Sequence, residues 1–199
     1  MENKFDEITY TQSLFRTLLD CMSRPGKIGR IEPASCGLSF SFTDYTLGVA
    51  ITLLDQEVTF HVYNDRNNSS VQLQMYTMSR QVSMEECDYF FVNGNENFDV
   101  SRLKKGILEF PDESATVICQ VRKLSGERIL RPDAIKLQLQ GPGIRDTNTL
   151  YIYGLNQQVI EPWQQCNQEF PLGLDWIFVD EDGKVCCIPR STKFCWEVF

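Results

Sequence analysis

Between residues 14 and 22 the apolar positions Leu14, Phe15, Leu18, Leu19 and Met22 recur at helical spacing, with polar residues between them. That period predicts an amphipathic helix with one buried stripe. Thr9 and Gln12 stand at capping-box spacing, which puts its expected start near Thr9. Its expected end is Ser23-Arg24, because Pro25 pushes Arg24 out of the helical region and Gly26 permits a sharp turn. Leu47, Ala50, Ile51 and Leu54 predict a second helix starting around Thr43. Over 57–63 the period changes. Val58, Phe60 and Val62 alternate with Thr59, His61 and Tyr63, the pattern of a half-buried strand. Asn67-Asn68-Ser69 is expected to cap a third helix whose apolar side carries Val71, Met75 and Met78. The run 88–92 is continuously apolar after Asp88 and ends at Asn93-Gly94, which suits a central strand covered on both faces.

The second half reads as strands at 115–121, 134–139, 150–153, 175–179, 184–188 and 193–198, with Asp182-Gly183 a hairpin turn between two of them. One helix interrupts them, entered at Glu161-Pro162 and running toward Asn167. Helices alternating with strands indicate an α/β layer fold. With no linker, repeat or low-complexity tract, residues 1–199 are expected to form a single domain.

Charge and cysteine content narrow the function classes. The formal net charge is −8, which disfavours general attraction to nucleic acid or anionic lipid but leaves room for a local phosphate pocket. No apolar run approaches a membrane span, and the first residues lack the pattern of a secretory signal, so a soluble cytoplasmic protein is expected. The eight cysteines form no Cys-x-x-Cys pair, and several sit inside apolar runs, so buried reduced thiols are expected.

Catalytic signatures are missing. His61 is the only histidine, which excludes a histidine-based metal cluster within one chain, and its place on a strand suits a hydrogen-bonded structural role. There is no Gly-x-Ser-x-Gly elbow, no Gly-x4-Gly-Lys-Ser/Thr phosphate loop and no cysteine spacing suited to an iron–sulfur centre. Gly141-Pro-Gly143 reads first as a strand-ending turn, and Glu85-Glu86 and Asp180-Glu181-Asp182 as solvated acid.

Several blocks in order carry a resemblance. They are Phe15-Arg-Thr-Leu-Leu-Asp-Cys-Met-Ser-Arg-Pro-Gly26, Leu53-Leu-Asp55, the stretch from Lys105 to Ile118, Leu139-Gln-Gly-Pro-Gly-Ile144, and Phe170-Pro-Leu-Gly-Leu-Asp175 followed by Ile188-Pro-Arg-Ser-Thr192. Together they resemble the PhnH family, the H subunits of the bacterial carbon–phosphorus lyase complex. That resemblance implies a role in alkylphosphonate catabolism beside the G, I and J subunits, which form a ribosyl alkylphosphonate triphosphate from ATP and phosphonate. It also implies a homodimer in isolation and a three-layer α/β/α fold with a mixed sheet, similar to a degenerate pyridoxal-phosphate-dependent transferase. No cofactor is expected: Asp55 with Lys136 or Lys193 could be imagined around a pyridoxal ring, but nothing in their spacing singles them out. If a phosphonate or ATP-derived ligand binds, the expected residues are Arg190, Gly141 and Gly143, with Arg145 and Arg24, since fork-shaped cations in Gly/Pro loops suit phosphate. The alternatives are an independent small-molecule binding protein or a degenerate transferase.

Overall fold

A computed structural model describes residues 5–65, 68–129 and 133–199. The first helix, α1 (Glu7–Ser23), begins earlier than expected, because Asp6 caps it by accepting from the Thr9 amide at 3.3 Å and the Thr9 hydroxyl at 2.7 Å. Only part of its stripe is core: Leu14, Leu18 and Cys21 are buried, whereas Phe15 and Leu19, rotated about 100° around the axis, are exposed. After strand β1 (Ile28–Arg30), helix α2 (Asp44–Leu53) is buried from Thr46 to Ile51. Gly48 lets α1 approach it, for a β-carbon there would lie 2.0 Å from the Tyr10 hydroxyl oxygen.

Strand β2 (Thr59–Val62) leads to helix α3 (Ser69–Thr77) and the short β3 (Arg80–Gln81). The third helix corrects the sequence reading on two points. Its cap is Asp65, since Asn68 has no capping side-chain bond and Asn67 lies outside the described residues. Leu73 is its buried apolar residue, while Val71, Met75 and Met78 face outward. Then follow β4 (Tyr89–Asn93), β5 (Thr116–Val121), β6 (Lys123–Ser125), β7 (Ala134–Gln140), β8 (Asn148–Tyr153), helix α4 (Ile160–Cys166), β9 (Asp175–Asp180), β10 (Lys184–Ile188) and β11 (Lys193–Val198).

Seven strands form one sheet in the order β1-β10-β9-β5-β4-β2-β3, parallel from β9 to β3 and antiparallel at β10 and β1. Side-chain alternation divides its contacts. Phe60, Phe91, Ile118, Ile177, Val185 and Cys187 pack under α1, α2 and α3, whereas Phe90, Val117, Cys119, Trp176, Phe178 and Cys186 face the other way. That second face meets a four-stranded antiparallel sheet, β11-β7-β8-β6, together with α4. The layer order is therefore helices, sheet, sheet, a correction to the expected α/β/α. The cause is the one-sided pattern of β7 and β8: Ile135, Leu137, Leu139, Leu150 and Ile152 all need an apolar partner surface, and the large sheet supplies it. No helix among the described residues is long and apolar enough to cross a membrane.

All eight cysteines are free thiols; Cys195 is exposed and Cys36 half-buried, while the other six are buried. Burial pushes the Cys87 thiol up to about 12 and those of Cys119 and Cys186 further. The Cys187 thiol donates to the Leu18 carbonyl and the Cys21 thiol to that of Val185, both at 3.8 Å. The neighbouring Cys187 draws the Cys21 thiol below its usual range, but Cys21 has no exposed surface. A colorimetric thiol titration of the native protein is therefore expected to show two fast groups, Cys36 and Cys195, with the remaining six reacting only after unfolding. A third fast group would mean that one of the layers opens.

Candidate functional site

The order β3-β2-β4-β5-β9 has the chain leave β2 for one side and resume on the other with β4. In an open parallel sheet, such a reversal leaves a crevice at the carboxyl ends of the two strands. Here those ends are Tyr63-Asn64 and Asn93-Gly94-Asn95, flanked by Gln120 and Val121 at the end of β5 and Arg122 just after it. Together with Glu96 and Glu181 they border a cavity of about 610 Å³.

Its walls are hydrogen-bonded into place. The Gln120 side-chain oxygen accepts from the Thr43 amide at 2.7 Å and the Thr46 hydroxyl at 3.0 Å, which ties the start of α2 to the floor. Its amide nitrogen donates to Asn93 at 3.3 Å. Asn64, in the left-handed region at φ 52°, donates to Glu96 at 2.9 Å, and Tyr63 donates to the Asn97 carbonyl at 3.1 Å. Arg122 pairs with Asp133. Among the described residues, side-chain amides, the Ser41 and Tyr63 hydroxyls, two carboxylates and one already paired arginine make this a hydrogen-bonding cleft. The lone histidine stands apart from it, with Nδ1 2.8 Å from the Val82 carbonyl oxygen and its ring stacked on Phe90. No group of three or more His, Cys, Asp or Glu placed to hold a metal ion occurs among the described residues.

Asp65 holds the edge of this cleft. Its carboxylate accepts from the amides of Ser69 and Ser70 at 3.0 and 2.9 Å and from the hydroxyls of Ser41 and Ser69, both at 2.9 Å. Partial burial alone would raise its pKa, but the hydrogen bonds from Ser70, Ser69 and Ser41 outweigh that and hold it well below the usual carboxylate range. A depressed folded-state pKa contributes stability that is present above the unfolded value and lost as pH falls through the folded one. Asp65→Asn is thus expected to cost about 1–2 kcal/mol near neutrality, the worth of a helix cap. The gap between variant and parent should narrow as pH drops below about 4. Urea unfolding at a series of pH values checks this; a gap that stays constant down to the acid limit of folding would contradict it.

The residues singled out in the sequence lie at the opposite end of the large sheet, where the parallel strands begin. Their loops do meet. A β-carbon on Gly143 would sit 2.1 Å from the Ser23 carbonyl oxygen, and one on Gly141 would sit 3.1 Å from that of Ser191, so the 23–26, 141–144 and 189–192 turns adjoin. Asn148 strengthens the junction by donating to the Pro25 carbonyl at 3.0 Å. The arginines behave differently from one another. Arg190 is largely buried: its amide donates to Asp175 at 2.7 Å, and its guanidinium reaches Asp175 at 3.2, 3.2 and 2.5 Å and the Pro111 carbonyl. Arg24 pairs with Asp20. Arg145 is exposed and makes no ion pair among the described residues.

Two features escaped the sequence reading. The cleft was invisible because Asn93-Gly94 marks a strand end equally well whether or not another strand end lies beside it. Asp180, expected to be solvated, is fully buried. Its oxygens accept from the amides of Asp182, Lys184 and Leu124 at 3.0, 2.8 and 3.0 Å, so backbone donors replace water, while Glu181 and Asp182 stay exposed. Three convergent donors around one acid, two of them from its own hairpin, could not be read from three acids in a row.

Comparison with known proteins covers almost the whole chain. Residues 4–195 match the family model described as bacterial phosphonate metabolism protein (PhnH). A relative from Rhizobium meliloti (strain 1021), named alpha-D-ribose 1-methylphosphonate 5-triphosphate synthase subunit PhnH, is 28% identical over 192 residues, spanning 94% of this chain and 92% of its own. HtxG of Stutzerimonas stutzeri, named as a candidate C-P lyase subunit protein, is 28% identical over 185 residues, spanning 91% of this chain and 84% of its own.

Proposed function

Because the chain belongs to the PhnH family of bacterial phosphonate metabolism proteins, we propose that it serves as a subunit of a carbon–phosphorus lyase complex. There it supports, beside G, I and J subunits, the joining of ATP and an alkylphosphonate into a ribosyl alkylphosphonate triphosphate. One observation carries the proposal: the similarity spans 92% and 84% of the two relatives, each named as a subunit. An accessory role agrees with the reactive groups at hand. The single histidine is held by the Val82 carbonyl, and six of the eight thiols are buried. The finer likeness to a degenerate pyridoxal-phosphate transferase belongs to the same proposal. Asp55, weighed for that site, accepts from the Glu57 amide at 2.8 Å; Lys136 pairs with Glu197 at 3.4 Å; and Lys193 lies on β11. A cytoplasmic location and a homodimer in isolation complete the reading.

Co-expression of the tagged chain with the other subunits tests it. The chain is expected to co-elute with them in fixed stoichiometry and to be inert alone toward ATP and methylphosphonate. Turnover by the isolated chain would overturn it.

The cavity at the β2/β4 reversal favours a second reading, in which the chain also binds a small molecule there. Calorimetry with methylphosphonate and with ATP separates the two, since a subunit that only positions its neighbours gives no heat with either.

A further inference from the structure

Four large apolar side chains project from one corner of the molecule into solvent. Ile107, Leu108 and Phe110 are 52%, 72% and 53% exposed on a single loop, and Phe170 is 65% exposed on the loop beside it. The two loops are joined by the Gly173 amide, which donates to the Lys105 carbonyl at 3.1 Å. Isolated exposed apolar residues are ordinary, but a contiguous group of this size marks a contact surface.

The loop is held in shape. Ile107 and Phe110 exchange backbone hydrogen bonds at 3.2 and 3.0 Å, and Ala115 donates to the Lys104 carbonyl at 2.8 Å. Gly106, at φ 75°, brings the backbone against Pro111, whose carbonyl receives the Arg190 guanidinium. A surface ordered before contact loses little conformational entropy when it binds.

Charge identifies the occupant. Glu109, Asp112, Glu113 and Glu169 border the apolar group, are exposed, and make no ion pair among the described residues; Lys105 is the nearby cation in the same condition. Four carboxylates against one ammonium leave an excess of three negative charges. A second copy of the chain would bring the same acids against this rim, and anionic lipid or nucleic acid would be repelled in the same way. We propose that the corner formed by Ile107, Leu108, Phe110 and Phe170 docks a protein of different sequence, which presents an apolar pocket rimmed with lysine and arginine. The proposal rests on the chain being a complex subunit, and it names the face that joins the complex.

The test is co-purification of the full chain with the other subunits. Leu108→Asp and, separately, the double substitution Glu109→Lys with Glu113→Lys are compared with Met75→Asp on the exposed side of α3. Leu108→Asp is expected to weaken association about 30-fold or more, the effect of losing a central apolar anchor. The charge reversal should slow association and flatten its dependence on salt. Met75→Asp should do neither. Each substituted side chain is exposed, so circular dichroism and melting should match the parent. If the parent chain assembles and Leu108→Asp assembles equally well, the docking face is elsewhere and only this inference falls. It falls in the same way if Leu108→Asp merely splits a homodimer while the complex persists, or if Met75→Asp is the disruptive change. If the parent chain itself never joins the other subunits, the proposed function falls first.

Discussion

Arg190→Ala is expected to lower the melting temperature by about 6–12 °C, one of the two largest losses anticipated for a single substitution in this chain. The side chains of Arg190 and Asp175 are only 16% and 18% exposed, and the guanidinium fork meets both carboxylate oxygens. Truncation leaves Asp175 with the Arg190 amide as its remaining partner here and with little access to water. It also frees the Pro111 carbonyl. Breaking a buried pair from one side costs about 3–5 kcal/mol. Because both side chains keep some solvent contact, the low end, about 3 kcal/mol, applies. In a chain of this size each kcal/mol moves the midpoint by about 2–4 °C. Arg190→Lys should recover part of the loss, since a point charge replaces one arm of the fork but not the planar pair. Asp175→Ala should cost a similar amount, and the double variant less than the sum of the two. Calorimetric melting of the four variants beside the parent checks this. A melting point unchanged in Arg190→Ala, with phosphonate binding lost instead, would make Arg190 a ligand residue rather than a clamp between β9 and the turn after β10.

Gly143→Ala is expected to be comparably damaging for a different reason. Gly143 has φ 81°, and an added β-carbon would meet the Ser23 carbonyl oxygen at 2.1 Å and the Pro25 ring at 3.0 Å. The obstacle is backbone and a proline ring, so no flexible side chain can swing aside. The left-handed conformation alone costs about 1–2 kcal/mol in a residue with a β-carbon. Moving the 141–144 turn away from the 23–26 turn adds the loss of their packing, for a total of about 3 kcal/mol or more. Gly37 is the control. Its φ is 74°, yet nothing lies within 4 Å of its added β-carbon. Gly37→Ala should therefore show the conformational cost alone, about 1–2 kcal/mol. Urea midpoints for the two variants measure the difference, and equal losses would mean that the Gly143 contact relaxes freely.

These two positions also show where sequence reasoning reached and where it stopped. Pro25-Gly26, Gly141-Pro-Gly143 and Pro189-Arg190 were legible as turns, because the φ preferences of Pro and Gly are local properties. That the three turns touch was not legible, since more than 100 positions separate Ser23 from Gly143. The strands at 116–121, 175–180 and 184–188 could be read from their apolar runs, and the Asp182-Gly183 hairpin from its turn dipeptide. The short β1 and β3 could not, because two or three residues at a sheet edge carry no periodicity.

The amino-acid order by itself determined which of the longer segments are helical and which extended, where most of them end, and that no phosphate loop or histidine cluster is available. These follow from steric preferences and periodicities acting over a few residues. Only the tertiary structure decided which apolar stripes are covered. It buried Leu73 and left Met75 outside, laid a second sheet where a helical layer was expected, and gave Asp180 three backbone donors. It also aligned the ends of β2 and β4 into a cleft. In each case a remote segment supplies the covering surface or the partner group, and whether that segment arrives depends on how the whole chain closes.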